Sequence, residues 1–348
     1  MNSVSFVVPI RYQNDIPTML KVFDHRRLHV LLLLWSARCL EVLGPVLSKL
    51  FLVTWEKIAM FELKIASNAQ RVHADTMMYE EWGKPDLTIE QYFERERALY
   101  ATEFDKRTLS VYVLVPTESP ETLDILAYVE VYKRPCIYDG RLLHAYSLDA
   151  VFTPPQVRGK GYATIMLQEL VSLLHSKGPD GVVISNLYSD IGPSFYANRG
   201  WTLFPSDQLI FPSTMETSPC DVNHISLRTI DSPTSLEHVC QEDLNQMQSQ
   251  AATTPLSVFF ILEPSLSQWF QVRSHFYARA KTNFSTAPQS MGVFSINEGE
   301  TASDYVFWTH DFEHDELAIL RCRTTETVFP FILNAALAEA KSLQQMED

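Results

Sequence analysis

Residues 148–201 read LDAVFTPPQVRGKGYATIMLQELVSLLHSKGPDGVVISNLYSDIGPSFYANRGW. An apolar strand pattern runs into a basic glycine loop, the loop opens an amphipathic helix, and a second apolar strand leads to a short helix with a Phe-Tyr pair. Gly159 and Gly161 permit a sharp turn and a close approach of backbone to a ligand, because no Cβ stands in the way. The helix opening near Gly161 offers unpaired N–H groups and the positive end of its dipole, and Arg158 and Lys160 add charge, a combination that suits a pyrophosphate. Its apolar positions are Ile165, Leu167, Leu170, Val171 and Leu174, and Gly178-Pro179 is its stop signal. The strand GVVISNLYS is continuous and β-branched, as a buried parallel strand should be. Asp190 is placed to cap the following helix, with Pro193 in its first turn.

Two better-known phosphate loops do not fit. Pro154 stands where a P-loop needs its first glycine, and Thr164 stands where a dinucleotide fingerprint needs its third. The stretch instead resembles the acetyl-coenzyme A loop of the GCN5-related N-acetyltransferases (GNATs), Gln/Arg-x-x-Gly-x-Gly/Ala. It satisfies that pattern in two registers, Gln156/Gly159/Gly161 and Arg158/Gly161/Ala163. FYANRGW resembles the same family's Tyr-x-x-x-Gly-aromatic ending. TPPQVRGKGYA with LYSDIGPSFYANRGW further resembles the fungal lysine N6-acetyltransferases of lysine catabolism, from about residue 61 nearly to the C-terminus.

The resemblance implies an α/β (α+β) GNAT fold with a mixed central sheet and acetyl-CoA as co-substrate. It assigns the pyrophosphate to Arg158, Gly159, Lys160, Gly161, Tyr162 and Ala163, and the pantetheine arm to the backbone of Ala150, Val151 and Phe152. Those three residues also read as plain core, and the two roles are compatible. Family members commonly carry Asn near position 189, whereas this chain has Ser189; Asn186 is close enough in sequence to substitute. Tyr196 is the expected catalytic acid, since a phenol of pKa about 10 can return a proton to a thiolate of conjugate pKa about 8.5. The competing reading of Tyr196 is an aromatic core residue beside Phe195. Gly200 reads as the helix stop.

An amine nucleophile must lose a proton before attack. Glu130 lies in ILAYVEVY on one face with Leu126, Tyr128 and Tyr132 by alternation. It is a candidate general base or a solvated strand residue, and Asp149 competes for the same role.

The net charge of −14 argues against nucleic acid and anionic membrane surfaces as partners and suits a cationic substrate, although solubility alone also explains it. Cys39, Cys136, Cys220, Cys240 and Cys322 are scattered and read as reduced thiols of a cytoplasmic protein.

Four regions are expected: an atypical hydrophobic extension over 1–60, a GNAT acetyl-CoA-binding domain over 61–210, a linker over 211–223, and a GNAT-like substrate domain over 224–348. Within the extension, 28–55 is the most apolar stretch, interrupted by Arg38, Glu41, Pro45 and Lys49. It reads as an appended helical segment poorly tied to the fold, with a signal or anchor as the alternative. The globular pattern opens with the strand ELKIA and two helices, the second capped by Thr88 with Gln91. LSVYVLVP and ILAYVEVYKRP follow as strands. LFPSDQLIFPSTMETSPCD reads as linker.

The second region has strand patterns at HISLRTI, LSVFFIL, SMGVFSI, YVFWTH and ELAILRCR, and helices at LSQWFQVRSHFYARA and VFPFILNAALAEAKSLQQ. An α/β unit of this kind normally returns as another strand, so this one reads as truncated or divergent. His310 and His314 in WTHDFEHDELAIL are four apart, which on a helix would suit a metal, but the flanking strand patterns favour a polar turn and no metal is expected. Three functions remain: acetylation of a small amine such as free L-lysine, acetylation of protein amines, and non-catalytic acetyl-CoA binding.

Overall fold

Along LSVYVLVP the side chains of Tyr112 and Leu114 fall in one core cluster and those of Val111, Val113 and Val115 in another, and all five are buried. A strand buried on both faces must lie inside a sheet that is covered on both sides. The computed structural model describes residues 3–8, 18–23, 60–177, 183–189, 191–204, 207–216, 225–281, 288–296 and 302–347. In chain order the first part comprises β1 (Ser3–Val8), β2 (Thr18–Phe23), β3 (Phe61–Ile65), α1 (Asn68–Trp82), α2 (Ile89–Tyr100), α3 (Glu103–Thr108), β4 (Leu109–Pro116), β5 (Ala127–Tyr138), β6 (Arg141–Phe152), α4 (Tyr162–Lys177), β7 (Val183–Leu187), α5 (Pro193–Ala197) and β8 (Thr202–Phe204). The second comprises β9 (Asp207–Pro212), β10 (Leu227–Thr229), α6 (Pro233–Thr253), β11 (Val258–Phe260), α7 (Pro264–Lys281), β12 (Gly292–Ile296), β13 (Ala302–Asp311), β14 (Glu316–Arg323) and α8 (Phe329–Glu347).

The first sheet runs β3-β4-β5-β6-β7-β2-β8, with β11 on the far half of β5. Met166, Leu167, Leu170 and Leu174 of α4 cover one face. Ala74 and Met78 of α1 cover the other. The second sheet runs β10-β12-β13-β14-β1-β9. Ile332, Ala336 and Leu337 of α8 and Tyr277 of α7 pack on one side of it, and Leu236 and Val239 of α6 on the other. The two units share core: Leu87 and Tyr92 of the first pack in the cluster of Tyr277, Trp308 and Ile332. Thr88 and Gln91 form the expected capping box, each side chain bonding the other's backbone N–H at 3.3 and 2.8 Å. Such a cap contributes about 1 kcal/mol.

Several expectations are corrected. The described parts of the first sixty residues are strands held inside both sheets, not a loosely attached helix. β1 pairs parallel with β14 and antiparallel with β9, and β2 pairs antiparallel with both β7 and β8. The stretch 28–55 lies outside the described residues. β1 takes the position beside β14, so the second sheet is continued from the other end of the chain.

The stretch read as linker takes in the end of β8 and all of β9, each in a different sheet, and the 211–223 boundary falls at the end of β9. LSVFFIL supplies β11 to the first sheet rather than to the second. Two helices escaped the periodicity reading. One is the six-residue α3. The other is α6, whose buried Leu236, Val239, Cys240, Asp243, Met247 and Ala251 do follow helical spacing. Asp243 on that face obscured the pattern. Cys136, Cys240 and Cys322 are free thiols, while Cys39 and Cys220 lie outside the described residues. Among the described residues no helix is long and apolar enough to cross a membrane.

Starting the chain at Met60 removes β1 and β2 and exposes the β7, β8, β9 and β14 edges to solvent. The trimmed protein should melt at least about 5 °C lower and associate through those edges, measured by calorimetry with light scattering. An unchanged melting temperature would support the appended-extension reading.

Candidate active site

The site begins where two parallel strands part. β6 and β7 pair only over Ala145↔Ile184, Tyr146↔Ser185 and Ser147↔Asn186. β6 then continues to Phe152 on the edge of β5, with a register shift between Tyr128 and Glu130. Ala150 has φ 46°, a left-handed conformation that costs a residue with a Cβ about 1–2 kcal/mol. Its N–H is turned onto Asp149 Oδ1 at 2.8 Å, which offsets part of that cost. Ser147 Oγ donates to Asn186 Oδ1 at 2.7 Å at the last paired position. Asn186 is therefore buried and engaged in the sheet, not poised to replace an Asn at 189. Along 148–152 the β7-facing edge of β6 meets no strand among the described residues.

Next to that edge lies the glycine loop. Gly159 and Gly161 have φ 78° and 87°, and a Cβ at either would meet nothing within 4 Å. Their need for glycine is conformational, and the space above them is open. The Gly161 carbonyl accepts from Thr164 and Ile165 at 3.0 and 3.1 Å, so α4 starts at the loop and its first N–H groups have no acceptor within the helix. Arg158 is anchored: it ion-pairs with Glu81 of α1 at 2.6 Å, and its Nε donates to the Thr153 carbonyl at 2.9 Å. Lys160 and both glycines are exposed, and Ala163 is half-buried. The Tyr162 ring packs edge-on against Phe61 at 5.3 Å.

α5 starts after Gly192, whose φ of 91° makes the turn and gives no side-chain cap. Gly192, not Asp190, therefore holds the capping position, and Asp190 lies outside the described residues. Tyr196 is buried, edge-on to Phe195 at 4.9 Å and to Trp201 at 6.0 Å. Burial pushes its phenol above the usual range, against a hydrogen bond with Ser189 that pulls it down. Ser189, the departure from the family pattern, thus faces the tyrosine hydroxyl. Arg199 was missed in the sequence. Its guanidinium stacks on Phe195 at 3.8 Å and donates to the Phe195 carbonyl and to Thr164 Oγ1 on α4, bracing α5 against the helix that follows the loop. Gly200, at φ 88°, ends the turn as expected.

On the other face of the sheet Glu130 is buried, which removes the solvated-strand reading. Its Oε1 accepts from Tyr128 at 2.7 Å and from Tyr100 at 3.2 Å, and its Oε2 accepts from Tyr132 at 3.2 Å. Burial, with the nearby Asp149 charge adding to it, pushes the carboxyl up to about 8. Tyr128 and Tyr132 share its environment as alternation required, whereas Leu126 packs in the opposite cluster. Asp149 is exposed and sits across the strands from Glu130.

The Tyr100 hydroxyl also reaches Asp75 Oδ1 at 3.3 Å. Asp75 and Asp105 are both buried, and burial first, then the Glu96 charge, lifts each carboxyl to about 7. These three residues were not singled out from the sequence. Asp75 does lie between Ala74 and Met78 on the buried face of α1, an acid at an apolar phase and the one legible sign.

His310 and His314 do not converge. His310 is buried against Glu339 at 2.9 Å, and His314 is exposed beside Asp311 at 3.0 Å, on the polar turn expected between β13 and β14. Asp311, Glu313 and His314 bring ligand atoms within 4.8 Å of one another, but Glu313 is already engaged by Arg273 and Tyr277.

Residues 211–347 match a family model described as the LYC1 GNAT-like C-terminal domain. A lysine acetyltransferase of Yarrowia lipolytica is 24% identical over 290 residues, covering 70% of each chain. A GCN5-related N-acetyltransferase from Kribbella flavida shares the fold with a TM-score of 0.51 at 12% identity, over 81% of this chain and 62% of that one. A probable N-acyltransferase from Enterococcus faecalis V583 gives a TM-score of 0.49 at 13% identity, over 81% and 63%. The chain thus spans under two thirds of the length of these two solved structures. Taken with the parted strands and the glycine loop, the chain has the fold of the GCN5-related N-acetyltransferases, and its second unit matches a GNAT-like domain. Within that class it resembles the fungal lysine acetyltransferases.

The Glu130 carboxyl has an ordinary value of 4.5 and stands near 8 in the fold. The folded protein therefore keeps a proton that the unfolded chain releases, and this stability is complete below the lower value and lost as pH rises through the higher one. Glu130→Gln should lose less stability than the parent between about pH 5 and about pH 9, a difference of several degrees in melting curves. Parallel pH dependence would mean that the carboxylate is solvated.

Proposed function

We propose that the protein transfers the acetyl group of acetyl-CoA directly to the side-chain amine of a small substrate, free L-lysine. One observation carries the reading. Glu130 is the cross-strand partner of Asp149, so a buried carboxylate and the unpaired backbone edge at 150–152 lie one residue apart on adjacent strands. A base is thereby set beside the edge on which a pantetheine arm would lie as an extra strand. The cradle fits the co-substrate: open space over Gly159 and Gly161, free N–H groups at the start of α4, and the Lys160 charge suit a pyrophosphate.

Acetyl-CoA supplies the activated acetyl group, and the chain's own residues supply proton transfer. Ionised Glu130 accepts a proton from the amine, whose ammonium form has pKa about 10.4. Neutral Tyr196, with a phenol raised by burial, gives a proton to the departing sulfur. The smallness of the substrate is supported by the second unit, which roofs the α2 and α3 side of the sheet. Arg95 bonds Tyr277 at 2.5 Å, and Arg107 pairs with Glu263 at 2.8 Å, contacts that hold the second unit against that side. The lysine assignment is supported by the similarity to the lysine acetyltransferase of Yarrowia lipolytica.

Incubation with acetyl-CoA and a panel of amines, followed by free-thiol release, tests the reading. Release with L-lysine but not with lysine-containing peptides is expected; release with peptides alone would replace it by protein acetylation, and binding without release by a non-catalytic role. Because Glu130 must be ionised, kcat should rise with pH and level off above about 8. Glu130→Gln should lower kcat about 100-fold and erase that inflection, and Tyr196→Phe should lower kcat by about tenfold or more with little change in the KM for acetyl-CoA.

A further inference from the structure

Between α1, α3 and the β3–β4 edge lies a cleft of about 420 Å³ whose lining includes Arg71, Tyr100, Asp105 and Ser110. Asp105 is only 4% exposed, and neither carboxylate oxygen has a hydrogen-bond partner. A buried carboxylate left without donors is costly, so a ligand that supplies them is the natural complement. The indole N–H of Trp269, on α7 of the second unit, approaches this carboxylate and partly opposes the effect of burial, without closing a full hydrogen bond.

The cleft carries the opposite charge as well. The Arg71 guanidinium stacks at 4.1 Å over the Tyr100 ring and holds Asn68 Oδ1 at 3.2 Å, while its buried Nε is unpartnered. Arg71 and Asp105 form no ion pair with each other among the described residues. One cleft thus presents a guanidinium and a carboxyl group that enter no ion pair among the described residues, the complement of a zwitterion. Tyr100 connects it to the base, since its ring lines the cleft and its hydroxyl bonds Glu130 Oε1 at 3.2 Å.

We propose that Arg71 and Asp105 bind the head group of a free amino acid. Arg71 takes the α-carboxylate. Asp105, steadied by the Trp269 indole, takes the α-ammonium, and the side-chain amine extends past Tyr100 toward Glu130. This assignment rests on the acetyl-transfer reading and adds the feature that separates a free amino acid from a peptide residue, whose α-groups are tied up in amide bonds.

The test uses full-length protein and three amines: L-lysine, cadaverine, which lacks the carboxylate, and ε-aminocaproate, which lacks the α-ammonium. Wild type should prefer lysine over both. Asp105→Asn should reduce the lysine to ε-aminocaproate ratio of kcat/KM by about tenfold or more, and Arg71→Met should do the same to the lysine to cadaverine ratio. Melting curves check folding, and Arg71→Lys serves if Arg71→Met is unstable. Unchanged ratios, or equal loss on all three amines, would overturn the proposal. If wild type turns over no amine, the acetyl-transfer reading fails by itself. Calorimetric L-lysine binding that is lost in Asp105→Asn would then still support the head-group site, and no binding to wild type would overturn it.

Discussion

The site depends on a strand pairing that stops early. β6 and β7 run parallel for three residue pairs and then separate, because β6 follows β5 through a register shift and a left-handed Ala150 while β7 ends at Leu187. Ser147 and Asn186 lock the last pair and fix where the separation begins. Backbone N–H and C=O groups in a sheet need partners, so an interior edge without a strand is a place for an extended ligand. The glycine loop and α4 stand beside that edge because the chain passes into them directly from β6. α5 is held there by Arg199, which links its carbonyl end to Thr164 on α4.

The opposite face is organised by burial of charge. Glu130 keeps a carboxyl in a low-dielectric setting because three tyrosine hydroxyls donate to it, and burial with neighbouring carboxylates keeps those phenols protonated. Removing charge from water raises a carboxyl pKa, and hydrogen bonds from phenols only partly oppose this. Asp75 and Asp105 extend the same chemistry along α1 and α3. An acidic group poised near neutral pH beside aromatic donors can hold or release a proton with little reorganisation, which ordinary surface carboxylates cannot.

Neither unit stands by itself. The second contributes β11 to the first sheet, Tyr277 to a core shared with Tyr92, and the Trp269 indole N–H beside Asp105. β1 and β2 bind the two sheets from the start of the chain, each occupying an interior position rather than an edge.

Local chemistry was readable from the residues alone. The strand, glycine loop, helix, strand and aromatic turn of 148–201 form in that order, the Thr88 cap forms with Gln91, and Glu130 stands among tyrosines because alternation puts it there. These features depend on neighbours a few positions away, where φ preference, capping and period dominate. What only the tertiary structure decided is long-range. It includes the insertion of β1 and β2, the crossing of β11 to the other sheet, the anchoring of Arg158 by Glu81, and the burial of Asp75 and Asp105 beside Tyr100. Sequence patterns specify which face of a strand is apolar, but not which distant edge it will meet. Nor do they reveal whether an acidic side chain will face water or a cleft, since that depends on which other element packs across it.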